Sequence, residues 1–137
     1  MNYLLDTNAC IALMNGAPAS VRNRFEKAIR GDSQIYISSV VAFELWYGIA
    51  KSARIEINTQ RFEALLSSAV ITIPFNHEDS RAAGSVRASL EADGRPIGGY
   101  DYLIAGQALA RQLTLVTANV SEFSRVKGLS WQDWAKP

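Results

Sequence analysis

Tyr3-Leu4-Leu5-Asp6-Thr7-Asn8 reads as a short buried strand that ends on an acid and runs directly into a helix. Three apolar residues in succession, without polar alternation, fit a strand covered on both faces. Thr7 or Asn8 can cap a helix through Ala9–Met14, and Gly16 with Pro18 closes that helix and opens the next, over Pro18–Arg30. The same alternation recurs downstream. Ile35-Tyr36-Ile37 is a second strand, followed by a helix over Val40–Ser52 capped by Ser38 or Ser39, and by another helix over Asn58–Ser68. Val70–Ile73 is a third strand stopped by Pro74. A helix over Ser80–Glu91 follows, then one over Tyr100–Gln112, a fourth strand at Leu113–Val116, and a short edge strand at Leu129-Ser130-Trp131. Strands regularly separated by helices specify an α/β domain with a mostly parallel central sheet.

Length and composition narrow the classes. A chain of 137 residues with 48% hydrophobic content forms one domain, 1–137, without repeat, linker or low-complexity tract. The single cysteine, Cys10, excludes an internal disulfide, and no cysteine–histidine set exists for a structural zinc. No apolar run approaches the roughly 20 residues of a membrane span, and no basic, apolar leader stands at the N-terminus. A cytoplasmic protein that does not insert into membranes is expected. Net charge is +1. If Asp6, Glu44, Asp101 and Glu122 gather in one pocket, the other nine acids face fourteen basic residues, an excess of five that suits a polyanion.

Those acids stand where acids are rare. Asp6 follows the first strand, at the edge where open parallel sheets bind ligands. It could equally cap the next helix. Glu44 has Val40, Val41, Tyr47 and Gly48 as its same-face helical neighbours, and no basic residue at the spacings that form helical ion pairs. Burying a lone carboxylate is costly unless it is paired, metal-bound or neutralised. Asp101 repeats the pattern among Ile97, Gly98, Ile104 and Ala105, although a first-turn acid also complements the helix dipole. Thr117 and Asn119 follow the fourth strand. If the first and fourth strands are neighbours, both residues sit beside Asp6, where Asn119 can offer a neutral oxygen or bond a metal-held water. Glu122 reads either as a fourth acid or as an exposed residue of a short helical turn.

Elimination narrows the chemistry further. His77 is the only histidine, so acid–base catalysis by two histidines is impossible and no Ser–His–Asp set can form. Gly94-Arg95-Pro96-Ile97-Gly98-Gly99 lacks the terminal Lys-Ser/Thr of a phosphate loop and follows a helix. Cys10 and the three tryptophans read as packing residues.

Leu5-Asp6-Thr7-Asn8, Ala42-Phe43-Glu44-Leu45 with Gly48, Pro96-Ile97-Gly98-Gly99-Tyr100-Asp101-Tyr102-Leu103-Ile104-Ala105, and Leu115-Val116-Thr117-Ala118-Asn119 with Glu122-Phe123 together resemble the PIN-domain family. More narrowly, they resemble the VapC-type toxins of bacterial toxin–antitoxin pairs. The resemblance spans essentially the whole chain. It implies a single three-layer α/β domain with helices on both faces of the sheet, and endonucleolytic cleavage of RNA. It also implies Mg²⁺ or Mn²⁺ held by Asp6, Glu44 and Asp101, a homodimer, and a small antitoxin that covers the active site. A neutral Asn119, where relatives usually carry a polar or acidic residue, leaves one metal or two open. All-oxygen donors without a histidine or thiolate cluster agree with Mg²⁺ or Mn²⁺. In that scheme Asp6 and Asp101 are the first ligands, with Glu122 a lesser one. Glu44 completes the shell or orients water, and Thr117 and Asn119 tune it.

Three other readings compete. A phosphorylated-aspartate protein would want a second acid beside Asp6 and a lysine, and Leu5-Asp6-Thr7 offers neither. An RNA- or protein-binding module could retain the fold with weak or no catalysis. Finally, ten arginines could tie the three acids into tertiary salt bridges.

Overall fold

A computed structural model describes residues 1–136. The chain order is β1 (Tyr3–Leu5), α1 (Thr7–Asn15), α2 (Ala19–Arg30), β2 (Ile35–Ser38), α3 (Ser39–Ala50), α4 (Ile55–Leu66), β3 (Val70–Ile73), α5 (His77–Ala92), α6 (Gly99–Ala110), β4 (Thr114–Val116), α7 (Val120–Phe123) and β5 (Trp131–Gln132). The five strands form one sheet in the order β3-β2-β1-β4-β5, with every pair parallel.

β1 lies at the centre, pairing Leu4 with Tyr36 on one side and Leu115 on the other. Successive side chains of a strand point to opposite faces, yet Leu4 and Leu5 are both 0% exposed, so both faces of the sheet are covered. Each such fully buried Leu or Ile contributes about 1.5–3 kcal/mol of transfer free energy. Strand order reverses at β1: the chain steps outward to β2 and β3, then returns to β4 on the other side. Right-handed crossovers therefore place α1–α4 on one face and α5–α6 on the other. The expected three-layer domain is the one observed. Among the described residues no helix is long and apolar enough to cross a membrane.

The differences from expectation lie at element ends, and each has a local cause. Of the three cap candidates, Asp6, Thr7 and Asn8, it is the Asp6 side chain that caps α1, accepting from Ala9 N–H at 2.8 Å, as one of its two readings had it. α4 begins at Ile55, three residues before Asn58, without a side-chain cap to mark its start. α5 begins at His77, because Asn76 and Asp79 form a reciprocal capping box. α6 stops at Ala110, and Gln112 takes a left-handed conformation before β4. The edge strand is Trp131–Gln132, not Leu129–Trp131.

α5 and α6 pack backbone to backbone. A Cβ on Gly106 would lie 2.4 Å from Ala83 Cα, so only glycine permits that approach. The same helix pair carries a buried acid that sequence reading passed over. Asp79 accepts from Arg111 Nε at 3.2 Å and Nη2 at 3.0 Å, and from Gln107 Nε2 at 3.0 Å. Burial pushes the Asp79 carboxyl up, but Arg111, the Asn76 backbone N–H and Gln107 outweigh it and hold it below the usual carboxylate value.

Candidate active site

β1 and β4 are the strands at which sheet order reverses, and the crevice beyond their carboxyl ends is the standard ligand position in such sheets. Asp6 and Thr117 are the first residues past those two strand ends. Asp6 is buried, and its N–H bonds Val116 O at 3.1 Å, tying the two strand ends together. Burial raises the Asp6 pKa. Hydrogen bonds from the Thr117 side chain and Ala9 N–H oppose that rise, while Glu44 and Asp133 add to it.

Glu44 reaches the crevice from the middle of α3. It is half-buried, and Thr7 Oγ1 donates to its Oε1 at 2.9 Å, a bond that links residues 37 apart and fixes the carboxylate's direction. Asp101 comes from the first turn of α6. The loop before it can come close because Gly98 lacks a side chain: a Cβ there would lie 3.1 Å from Asp101 Oδ2. Burial, then the Glu122 carboxylate, which lies within hydrogen-bonding reach, then Glu44 and Asp6 together push the Asp101 pKa up to about 7.

The electrostatics thus draw Asp6, Glu44, Asp101 and Glu122 into one group. Glu122 resolves both of its sequence readings at once: it lies on the short helix α7, and it is Asp101's strongest charged neighbour. Asn119 acts on Glu122, donating from Nδ2 to its Oε2 at 2.5 Å, and its backbone N–H donates to Thr117 Oγ1 at 2.9 Å. Among the described residues no salt bridge reaches any of these four acids; the ion pairs are Arg87–Glu91 and Arg111–Asp79. Tertiary salt bridging accounts for Asp79 and leaves Asp6, Glu44 and Asp101 without counter-charge.

Sequence reasoning missed two members of this group. Thr7 was read as a helix cap but orients Glu44. Asp133, past β5, acts on Asp6 across more than a hundred residues of chain, and no local pattern marks it. Cys10 is buried as expected, and burial pushes its thiol up, so it is no nucleophile.

What this arrangement can do follows from its charge. Among the described residues no group of three or more His, Cys, Asp or Glu side chains stands in a geometry ready to hold a metal ion. Instead, mutually repelling oxygens share a half-buried crevice, which fits a hard cation held by one or two carboxylates and several waters. The repulsion has a measurable sign. A carboxyl whose pKa is raised on folding contributes stability that is complete below its unfolded value, near 4, and is lost as pH rises through about 7. Metal-free protein is therefore expected to melt several degrees lower at pH 8 than at pH 5.5, as checked by thermal denaturation in chelator.

Comparison with known proteins agrees with this geometry. The family model described as PIN domain matches residues 3–129. The chain is 39% identical over 135 residues to the tRNA(fMet)-specific endonuclease VapC of Shigella flexneri, covering 98% of this chain and 99% of the relative. It is 40% identical over 136 residues to ribonuclease VapC2 of Rickettsia felis, covering 99% and 100%. The solved VapBC2 of Rickettsia felis, bound to a DNA fragment from its promoter, superposes with a TM-score of 0.91 at 38% identity, covering 98% of this chain and 99% of that one. DNA-bound VapBC from Salmonella typhimurium gives 0.89 at 35% identity, with 98% of each chain covered. The chain belongs to the PIN domain family and, within it, to the VapC group.

Proposed function

We propose that this protein is a metal-dependent endoribonuclease, the toxin of a toxin–antitoxin pair, acting on RNA in the cytoplasm. One observation carries the reading: Glu122, Glu44 and Asp6 all act on Asp101 at the switch-point crevice, and among the described residues no salt bridge reaches any of the four. Relatives named as ribonucleases and structural neighbours named as toxin–antitoxin complexes support it.

In this reading Asp6 and Asp101 hold the cation, which is Mg²⁺ with Mn²⁺ able to substitute. Glu44 completes the set or orients the attacking water, and Glu122 is a further candidate ligand. When bound, the ion supplies a more acidic water and charge neutralisation at the scissile phosphate. The chain's own residues do the positioning. Ala9 N–H and Thr117 fix the Asp6 carboxylate, Thr7 fixes Glu44, and Asn119 fixes Glu122. Supporting hydrogen bonds of this kind typically affect metal affinity or activity about 10–100-fold. A cognate antitoxin and a second copy of the chain complete the reading. The exposed side chains of Phe43, Trp46, Tyr47 and Tyr100 offer apolar surface for such contacts.

The test uses two readouts. Mg²⁺ or Mn²⁺ at about a hundredfold its dissociation constant is expected to stabilise the fold by about 2.7 kcal/mol, seen as a rise in melting temperature. Chelator is expected to reduce RNA cleavage to background. Cleavage that survives chelation, or melting indifferent to divalent ions, would sink the proposal.

A further inference from the structure

A cleft of about 290 Å³ opens between α5, α6 and the turn after α7. That is close to the roughly 300 Å³ at which small-ligand pockets begin. Ser85 and Ser89 lie one helical turn apart on α5, with the buried Val86 between them, and Arg125 and Lys127 come from the turn after α7. Asp93 is the cleft's one carboxylate, set against two cations.

Arg125 connects this cleft to the site. Its Nη1 donates to Pro96 O at 2.9 Å, in the loop that leads to Asp101, and Glu122 stands one helical turn before it. Its Nε is shut off from solvent and donates to nothing among the described residues.

We infer that this cleft holds a backbone phosphate of the RNA strand flanking the scissile bond, with Arg125 and Lys127 as its cations and the Ser85 and Ser89 hydroxyls as further donors. The inference rests on the nuclease reading and extends it along the strand. The acid crevice can hold RNA only at the metal-bound phosphate; at every other phosphate its own charge is repulsive. A strand seated there needs cations within a nucleotide or two. Arg125, bonded to the loop that leads to Asp101, is a cation tied to an element that positions the site. The charge and remaining terminal N–H groups of the Arg125 guanidinium, an ammonium and two hydroxyls are donors that phosphate oxygens take. The buried apolar floor is left for the sugar.

The experiment measures kcat and KM in constant Mg²⁺ across a KCl series, with whichever of tRNA(fMet) and a labelled single-stranded RNA the wild type cleaves. Losing one phosphate contact flattens the logarithmic salt dependence by about 0.7 for a single strand. Lys127→Gln is therefore expected to raise KM several-fold at low salt and flatten the dependence of kcat/KM by that amount, with Lys127→Arg restoring both. Ser89→Asp, an exposed helix position that tolerates substitution, is expected to raise KM in the same way. Unchanged KM and salt slope in Lys127→Gln and Ser89→Asp overturn the phosphate cleft and leave the nuclease standing, even if those variants weaken a protein partner. Absence of any metal-dependent RNA cleavage by the wild type removes both.

Discussion

Asp101→Asn is expected to lower RNA cleavage on the order of 10³-fold or more while making the metal-free protein harder to melt at pH 8. The activity loss is the scale seen when a group that stabilises the transition state electrostatically is removed. The gain in stability has a separate origin. At pH 8 Asp101 is ionised against Glu122, Glu44 and Asp6, and the amide removes that repulsion. Asp101 is only half-buried, so solvent screening discounts the effect, and a rise of about 3–5 °C is expected. At pH 5 Asp101 carries its proton in the folded protein, so most of the advantage should be gone, and below about pH 4 it should vanish. Melting curves of both proteins in chelator at the two pH values, beside cleavage assays in Mg²⁺, separate a dead enzyme from an unfolded one. A variant that is inactive but less stable at pH 8 would contradict the crowding of the acids; one that cleaves at the wild-type rate would remove Asp101 from the chemistry.

Gly106→Leu is expected to prevent folding, and Gly106→Ala to cost about 3 kcal/mol or more, the upper end of what overpacking usually costs. For a domain of this size that is a fall in melting temperature of about 10 °C. The reason is that the obstruction is backbone: the new Cβ would meet Ala83 Cα and N at 2.4 Å, and Ala83 Cβ at 2.6 Å. Ala83→Gly should therefore fail to rescue, since it removes only the third of those atoms. Circular dichroism melts of the single and double variants check this directly. A Gly106→Ala protein that melts within about 2 °C of wild type would show that α5 and α6 separate easily. Their separation would also loosen the Asp79–Arg111 pair that joins them.

The fold was legible because its signals are local. Three- and four-residue apolar runs marked β1 to β4, and Ser38, Gly16 and Pro74 marked turns and caps that stand where the composition put them. α5 was entered late because its capping box is Asn-x-x-Asp rather than a Ser or Thr box, and α4 was entered late because Arg54 gives no side-chain cap. Asp6, Glu44 and Asp101 could be singled out by the absence of nearby bases along the chain. The same criterion was blind to partners far away. Asp79 has its arginine 32 residues on, and Asp133 meets Asp6 only after the sheet closes. The weight of Glu122 was invisible too, since its proximity to Asp101 depends on how the turn after β4 folds back over α6.

The central place of β1 carries a consequence for synthesis. Asp6 is made about 110 residues before the two groups that seat it against β4, Val116 O and the Thr117 hydroxyl. Closing so long a loop is the slow, entropically costly step of a parallel topology. Until β4 emerges nothing seats Asp6 at the strand where the sheet order reverses, and a product truncated before β4 lacks that seat. On the proposed ribonuclease reading, that order of events delays assembly of the complete site until β4 has been made.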